Sequence, residues 1–275
     1  MTVEARLDKS DRFEFGRNWL RFLEHVDEER VREAERSLQR MLGTESLAGK
    51  SFLDIGSGSG LFSLAALRLG AARVFSFDYD AQSVACTREM KRRWNSEAEH
   101  WTIERGSILD RDYVARLGTW DVVYSWGVLH HTGAMSEALA NAAALVASRG
   151  LLFIAIYNDQ GTRSRLWHAV KRVYNRGIAG RAAMLSTFIP YWFARGIAAD
   201  LVRFRNPVAR YARYKRERGM SMLHDWIDWL GGYPFEVARP EDIFRVFRDR
   251  GFSLREVTTC GSGLGCNEYV FRRDS

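Results

Sequence analysis

The fold is decided by S-F-L-D-I-G-S-G-S-G-L, residues 51–61. Ser51–Ile55 is a short apolar run of strand length, and it leads directly into three glycines at alternate positions, Gly56, Gly58 and Gly60. Leu61–Leu69 then has the composition of a helix. Glycine lets a backbone turn sharply and approach a ligand with no Cβ in the way, so strand, glycine turn and helix together make a nucleotide-type cradle. A second strand, Arg73–Phe77, ends at Asp78, 22 residues beyond Gly56. A carboxylate there can accept hydrogen bonds from both hydroxyls of a ribose.

Two details choose between ligands. A dinucleotide-binding turn wants glycine five residues after the first, and that position is Leu61. Asp54, two residues before Gly56, is a charge at the end of a buried strand and is costly there without a partner. A ligand ammonium group would be such a partner, whereas a pyrophosphate would be repelled. The turn therefore favours a nucleoside with a cationic amino-acid tail. The competing reading is a tight turn in which Asp54 caps local amides.

Outward from this point, strands and helices alternate. Ser83–Trp94 reads as helix, Trp101–Glu104 as a weak third strand and Trp120–Ser125 as a fourth. Met135–Ala147 is a helix of mostly small residues, and Gly150–Tyr157 is a fifth strand apolar enough for the centre of a parallel sheet. This is an α/β pattern with right-handed crossovers. Residues 160–235 interrupt it with three or four helices punctuated by Gly177, Gly180, Pro190 and Pro207. The alternation resumes at helix Arg239–Arg250, with Pro240 in its first turn, and closes with strands Phe252–Thr259 and Glu268–Arg272. Those two strands flank G-S-G-L-G and read as an antiparallel hairpin. Upstream, 13–42 is an amphipathic helix with Phe15, Trp19, Val31 and Leu38 near one face, stopped by Gly43.

Composition sets the outer bounds. A chain of 275 residues, 46% hydrophobic and 27% charged, suits one globular domain with a large insertion and excludes wholesale disorder. The start carries acids and no apolar stretch, so no secretory signal is read there, and no run is long and apolar enough to suggest a membrane span. Three cysteines, Cys86, Cys260 and Cys266, read as reduced thiols of a cytoplasmic protein, and no histidine spacing matches them for a metal site. The net charge of +7 is uneven: residues 160–219 alone sum to +12, which leaves the rest of the chain acidic.

F-L-D-I-G-S-G-S-G, F-S-F-D, R-G-S-I-L-D and W-D-V-V-Y-S-W-G-V-L-H-H-T resemble, in order and spacing, the successive motifs of class I S-adenosylmethionine-dependent methyltransferases. The likeness covers 50–157 and 239–272 and leans toward the ubiquinone-biosynthesis-like branch that acts on small molecules. It implies a Rossmann-like sheet of seven strands in the order 3-2-1-4-5-7-6, the seventh antiparallel, with helices on both faces. It implies S-adenosyl-L-methionine as cofactor and S-adenosyl-L-homocysteine as product. Gly56, Ser57, Gly58 and Gly60 would pass under the methionyl part, and Asp54 would help hold its amino group. Asp78 would bind the ribose, and Tyr79, Ser107 and Ile108 the adenine; many members carry Asp where Ser107 stands. Ser125 and Trp126 would lie beside the methyl group. The chain then divides into an N-terminal helical segment covering the cofactor site (1–48), a core (49–159 and 236–275) and a helical, basic cap (160–235).

Methyl transfer needs a base only where the acceptor must lose a proton. His130 and His131 follow the fourth strand on the edge where open α/β sheets bind ligands, and imidazole suits a hydroxyl proton. His131, further toward the substrate, is the first candidate; Asp159, after the fifth strand, is the rival. The other reading has the histidines ordering the loop. Trp19, Tyr157, His224, Trp226 and Tyr233 are the candidate acceptor contacts, and the Gly261–Gly265 turn should rim the pocket. The expected reaction is O-methylation of a small molecule. C- or N-methylation of an anionic or lipid-linked acceptor, with peripheral membrane contact, remains open. So do RNA methylation, which lacks an appended RNA-binding domain, and nucleoside binding without turnover. The oligomeric state is not legible.

Overall fold

The computed structural model describes residues 19, 22–24, 26–94, 99–206, 222–261, 263 and 265–275, with the side chains of Met222, His224, Asp225 and Asp228 outside that set. One seven-stranded sheet carries the core: β1 (Ser51–Ile55), β2 (Arg73–Asp78), β3 (Trp101–Arg105), β4 (Trp120–Trp126), β5 (Val146–Tyr157), β6 (Phe252–Thr258) and β7 (Cys266–Arg273). Their order is β3-β2-β1-β4-β5-β7-β6, as the motif resemblance implies. The first five strands pair in parallel, and β7 runs antiparallel to both β5 and β6.

Successive side chains of a strand point to opposite faces, so the central strands build two cores at once. Leu53, Ile55, Val123 and Ile154 pack on one face, against Leu139 of α5 (Met135–Ala144) and Phe247 of α9 (Pro240–Arg248). Phe52, Val122, Tyr124 and Phe153 pack on the other, against Leu38 of α1 (Glu28–Leu42), Leu64 of α2 (Leu61–Arg68) and Met90 of α3 (Ala81–Trp94). Helix α1 begins at Asp27, whose carboxylate accepts the Arg30 amide, and ends at Gly43 in the left-handed region. The expected single helix over 13–42 is therefore corrected: Asp27 is extended, with φ −123° and ψ 174°, and its carboxylate starts a new helix at Glu28, while residues 13–18, 20, 21 and 25 lie outside the described residues.

A seven-residue helix, α4 (Arg111–Leu117), follows β3 and was not expected from the sequence; Asp110 caps it by accepting from the amides of Asp112 and Tyr113. The insertion holds α6 (Thr162–Tyr174), α7 (Ile178–Val202) and α8 (Met222–Gly231), with its own small core of Val170, Tyr174 and Leu230. Here the punctuation reading needs correction. Gly177 does precede α7, but Gly180 and Pro190 lie inside one continuous 25-residue helix. Proline removes one backbone hydrogen bond, to the carbonyl four residues back. Pro190 and Ser186 are both exposed, so water can take that carbonyl and the helix continues. Pro207 lies outside the described residues.

Candidate functional site

A cleft of about 770 Å³ opens at the carboxyl ends of the parallel strands. Its floor is the glycine turn. Gly56 has φ 75°, and a Cβ there would stand 2.4 Å from Val128 Cγ2. Gly58 has φ 53°, and a Cβ there would meet the Trp19 indole at 2.8 Å. Only glycine satisfies both the left-handed backbone and the space. Trp19 thus lies over the turn and lines the cleft.

Asp78 stands on the wall. Its carboxylate accepts the Gly58 amide at 3.1 Å and the Asp80 amide at 2.9 Å. Burial pushes its carboxyl up to about 6, against the pull of those amides. Tyr79, Ser107, Ile108 and Trp126 line the cleft with Gly56 and Asp78. Asp54, Ser57, Gly58, Gly60 and Ser125 are not on the lining; they build the turn from beneath. Ser57 Oγ bonds Thr87 Oγ1 at 2.9 Å, and Ser125 Oγ donates to the Ile55 carbonyl at 3.1 Å.

Asp54 has protein partners. The Trp101 indole N–H donates to Ser76 Oγ at 2.8 Å, Ser76 and Ser63 hydroxyls meet at 2.7 Å, and Ser63 Oγ donates to Asp54 Oδ2 at 2.5 Å. A carboxylate only accepts, so with Asp54 ionised Ser63 donates to it and accepts from Ser76, which accepts from the Trp101 indole. Burial still pushes Asp54 up to about 7, with the Ser63 bond pulling the other way and the charge of Asp78 adding to the rise.

The histidine pair separates into two roles. A 3-10 turn, Leu129–His131, follows β4. His130 is fully buried, packs 4.1 Å from the Tyr157 ring and is absent from the lining. Burial, with the adjacent His131 and the Lys171 charge, holds it well below the ordinary imidazole value. His131 lines the cleft, and its Nδ1 lies 2.6 Å from the Pro234 carbonyl. A carbonyl only accepts, so Nδ1 carries the proton and Nε2 keeps the lone pair. Burial pushes His131 down to about 4; the Pro234 carbonyl opposes this and Lys171 reinforces it.

Tyr157, Tyr233, Trp229, Pro234, Gly265 and Cys266 complete this half of the cleft; of the 261–265 turn Gly265 alone among the described residues lines it, and residues 262 and 264 lie outside that set. Trp226 packs inside the cap, on Trp192 and Phe193. The His224 side chain lies outside the described residues. Asp159 accepts the Gly161 amide at 2.8 Å and lines a separate cavity of about 280 Å³ with Ser164, Arg165, His168, Phe235 and Val237.

Lys171 was not singled out from the sequence. It is fully buried, donates to the Trp229 carbonyl and lies 4.3 Å over the Trp229 ring and 5.0 Å over Phe235. Burial brings its ammonium down to about 7. One signal could have found it: Lys171 falls on the same helical stripe as Trp167, Val170 and Tyr174. Among the described residues no group of three or more metal-ligating side chains occurs.

Residues 23–207 match the family model described as Methyltransferase domain, about two thirds of the chain. The chain belongs to this family. Among curated proteins, the ribosomal protein L11 methyltransferase of Xanthomonas campestris is 45% identical over 64 residues, 23% of this chain and 21% of that protein. The corresponding protein of Alteromonas mediterranea is 48% identical over 54 residues, 20% and 18% of the two chains. The matched stretch thus spans about a fifth of these relatives. Among solved structures, magnesium protoporphyrin IX methyltransferase of Synechocystis PCC 6803 with bound SAH superposes with a TM-score of 0.52 at 15% identity, covering 88% of this chain and 83% of that one. The [4+2]-cyclase SpnF gives 0.54 at 10% identity, covering 88% and 80%. At such identities the likeness shows the fold alone, and a cyclase among the neighbours shows that this fold serves more than one reaction.

Proposed function

We propose that this methyltransferase moves a methyl group from S-adenosylmethionine to an oxygen of a small-molecule acceptor. The observation carrying this reading is that the glycine turn, Asp78 and a tautomer-fixed His131 share one cleft. S-adenosylmethionine suits the first half of that cleft. The Asp78 carboxylate has the chemistry for ribose hydroxyls, Tyr79, Ser107 and Ile108 for the adenine edge and face, and the turn at 56–60 for the methionyl backbone. Asp54 acts on the ligand ammonium by its charge through the turn, since it is not on the lining. When bound, the sulfonium supplies an electrophilic methyl group and a good leaving group.

The chain's own residues then do three things. They align the acceptor, an effect worth up to about 7–11 kcal/mol of barrier. Trp19, Tyr157 and Trp229 wall the cleft against water. His131 Nε2 takes the acceptor proton while Nδ1–H stays on the Pro234 carbonyl. His130, buried against Tyr157, positions its neighbour. Asp159 is the weaker candidate because it faces the other cavity.

The acceptor half favours an uncharged, ring-bearing molecule. It is aromatic, and the lining's one arginine among the described residues, Arg105, sits at the cofactor end, donating to the Tyr79 carbonyl. A polynucleotide would want several cations along its phosphates. Asp78→Ala, titrated calorimetrically with S-adenosylhomocysteine, should lose measurable affinity; unchanged binding removes the ribose assignment. Mass spectrometry of acceptors incubated with enzyme and labelled donor should show one methyl group gained on oxygen. A methyl on carbon or nitrogen would replace the O-transfer reading.

A further inference from the structure

Helix α7 has an exposure that its composition does not explain. It is 25 residues long, yet Asp200 is its only buried residue. Met184, Leu185, Phe188 and Trp192 turn inward and pack on the cap core. The opposite face, which includes Ala183, Ser186, Thr187, Pro190, Ala194, Ile197, Ala198 and Leu201, is exposed and apolar over its C-terminal half, and of all the exposed residues in α7 only Arg181 and Arg195 are charged. Ile178 is 89% exposed, Val202 79% and, just past the helix, Phe204 99%. A helix face in water ordinarily carries charges, and a contiguous apolar face marks an interaction surface.

The surroundings identify the partner's charge. Arg195 on α7, and Arg203 and Arg205 just after it, are all exposed. Asp200 is the single acidic residue between positions 160 and 206, and it is buried. A second copy docked face to face would bring two such arginine fields together, and like charges oppose that. A nucleic acid would use the arginines but leave Ile178, Leu201, Val202 and Phe204 in water. An anionic bilayer surface uses both: apolar side chains enter the boundary of head groups and acyl chains, and arginines meet the phosphates.

We propose that α7 and the residues up to Arg205 form a docking face for an anionic phospholipid membrane. The helix lies on the surface and does not cross it: no described helix is long and apolar enough to span a bilayer. This inference is independent of the methyl-transfer reading, since none of its residues lines the cleft.

Flotation of the full chain with phosphatidylcholine vesicles, with and without phosphatidylglycerol, tests it. The protein should float with the anionic vesicles and stay behind with the neutral ones, and salt at about 0.5 M should release it. Ile197→Glu with Leu201→Glu, and separately Arg203→Glu with Arg205→Glu, should each cut the bound fraction by at least about tenfold. Both variants should keep the wild-type melting temperature and S-adenosylhomocysteine affinity. No flotation of the folded wild type would overturn the proposal. So would a dimer that the Ile197/Leu201 variant dissolves, or retention of single-stranded RNA in place of vesicles.

Discussion

Replacing Asp54 with asparagine should stabilise the folded protein at alkaline pH while weakening cofactor binding. The wild-type carboxyl is pushed by burial from 3.8 to about 7. A carboxyl raised on folding favours the protonated form. Its contribution to stability is therefore whole below the unfolded value and is lost as pH rises through the folded one. Three pK units correspond to about 4 kcal/mol lost well above pH 7. Asparagine cannot ionise and does not carry this loss. Its Oδ1 can accept the Ser63 hydroxyl, but its new N–H groups need an acceptor, which costs about 1–3 kcal/mol at any pH. The pH-dependent part therefore isolates the ionisation. Urea unfolding at pH 5 and pH 8 should show the variant's advantage over wild type growing by about 2–3 kcal/mol between the two. A difference that does not change with pH would refute the reasoning, because it would mean that Asp54 does not titrate in the folded chain as its burial requires.

Two further substitutions separate chemistry from architecture. His131→Gln can still donate to the Pro234 carbonyl but offers no imidazole, so turnover should fall about 10²–10⁴-fold with S-adenosylhomocysteine affinity retained; a wild-type rate removes the base assignment. Because burial holds His131 near 4, its ring resonances followed by NMR should show no titration between pH 6 and 8, and one there would contradict the desolvation of this imidazole. Lys171→Met should be stabilised relative to wild type near pH 6. A lysine depressed to about 7 on folding is paid for below that value, and the cost fades as pH rises toward 10.5, so the advantage should shrink across that window in unfolding measurements. A constant difference would show that the ammonium is not desolvated.

The geometry of the turn and Asp78, proposed for the cofactor, was legible because these residues are local in sequence. The turn at 56–60 joins consecutive elements, and Asp78 ends the strand that pairs directly with β1, so spacing alone carries the geometry. The acceptor half was legible only in outline. Tyr157, Tyr233 and His131 come together because Pro234, 103 residues beyond His131, closes on it, and no local pattern encodes that contact. Asp54 was read as waiting for a ligand ammonium. Its donor Ser63, and the Ser76 and Trp101 that extend the chain behind it, sit on three other elements and are ordinary residues until the sheet aligns them. Helix α4 escaped because seven residues give too little periodicity, although Asp110 stood at its start. Pro190 was read as a break because propensity is a local quantity; the packing of Phe188 and Trp192 on either side of it holds α7 together.

In the proposed O-transfer with His131 as base, the low basicity of this imidazole constrains the acceptor step. With an imidazolium near 4 and a phenol near 10, full deprotonation before transfer would lie about 8 kcal/mol uphill. A free oxyanion formed by His131 is therefore not a useful intermediate in this cleft. On that proposal the proton moves as the new C–O bond forms, when the oxygen becomes acidic and the imidazole is favoured to receive it. That ordering places the demand on alignment: the lone pair of Nε2 is useful only if the acceptor oxygen is already held in line. The Nδ1 bond to Pro234, the packing of Tyr157 tilted against His130 and edge-on to His131, and the Lys171 bond to the Trp229 carbonyl are all devices of that kind. They fix direction at some expense of basicity, because the same burial that rigidifies His131 makes its charged form costly. An enzyme built this way gains more from orientation and dryness than from the strength of its base.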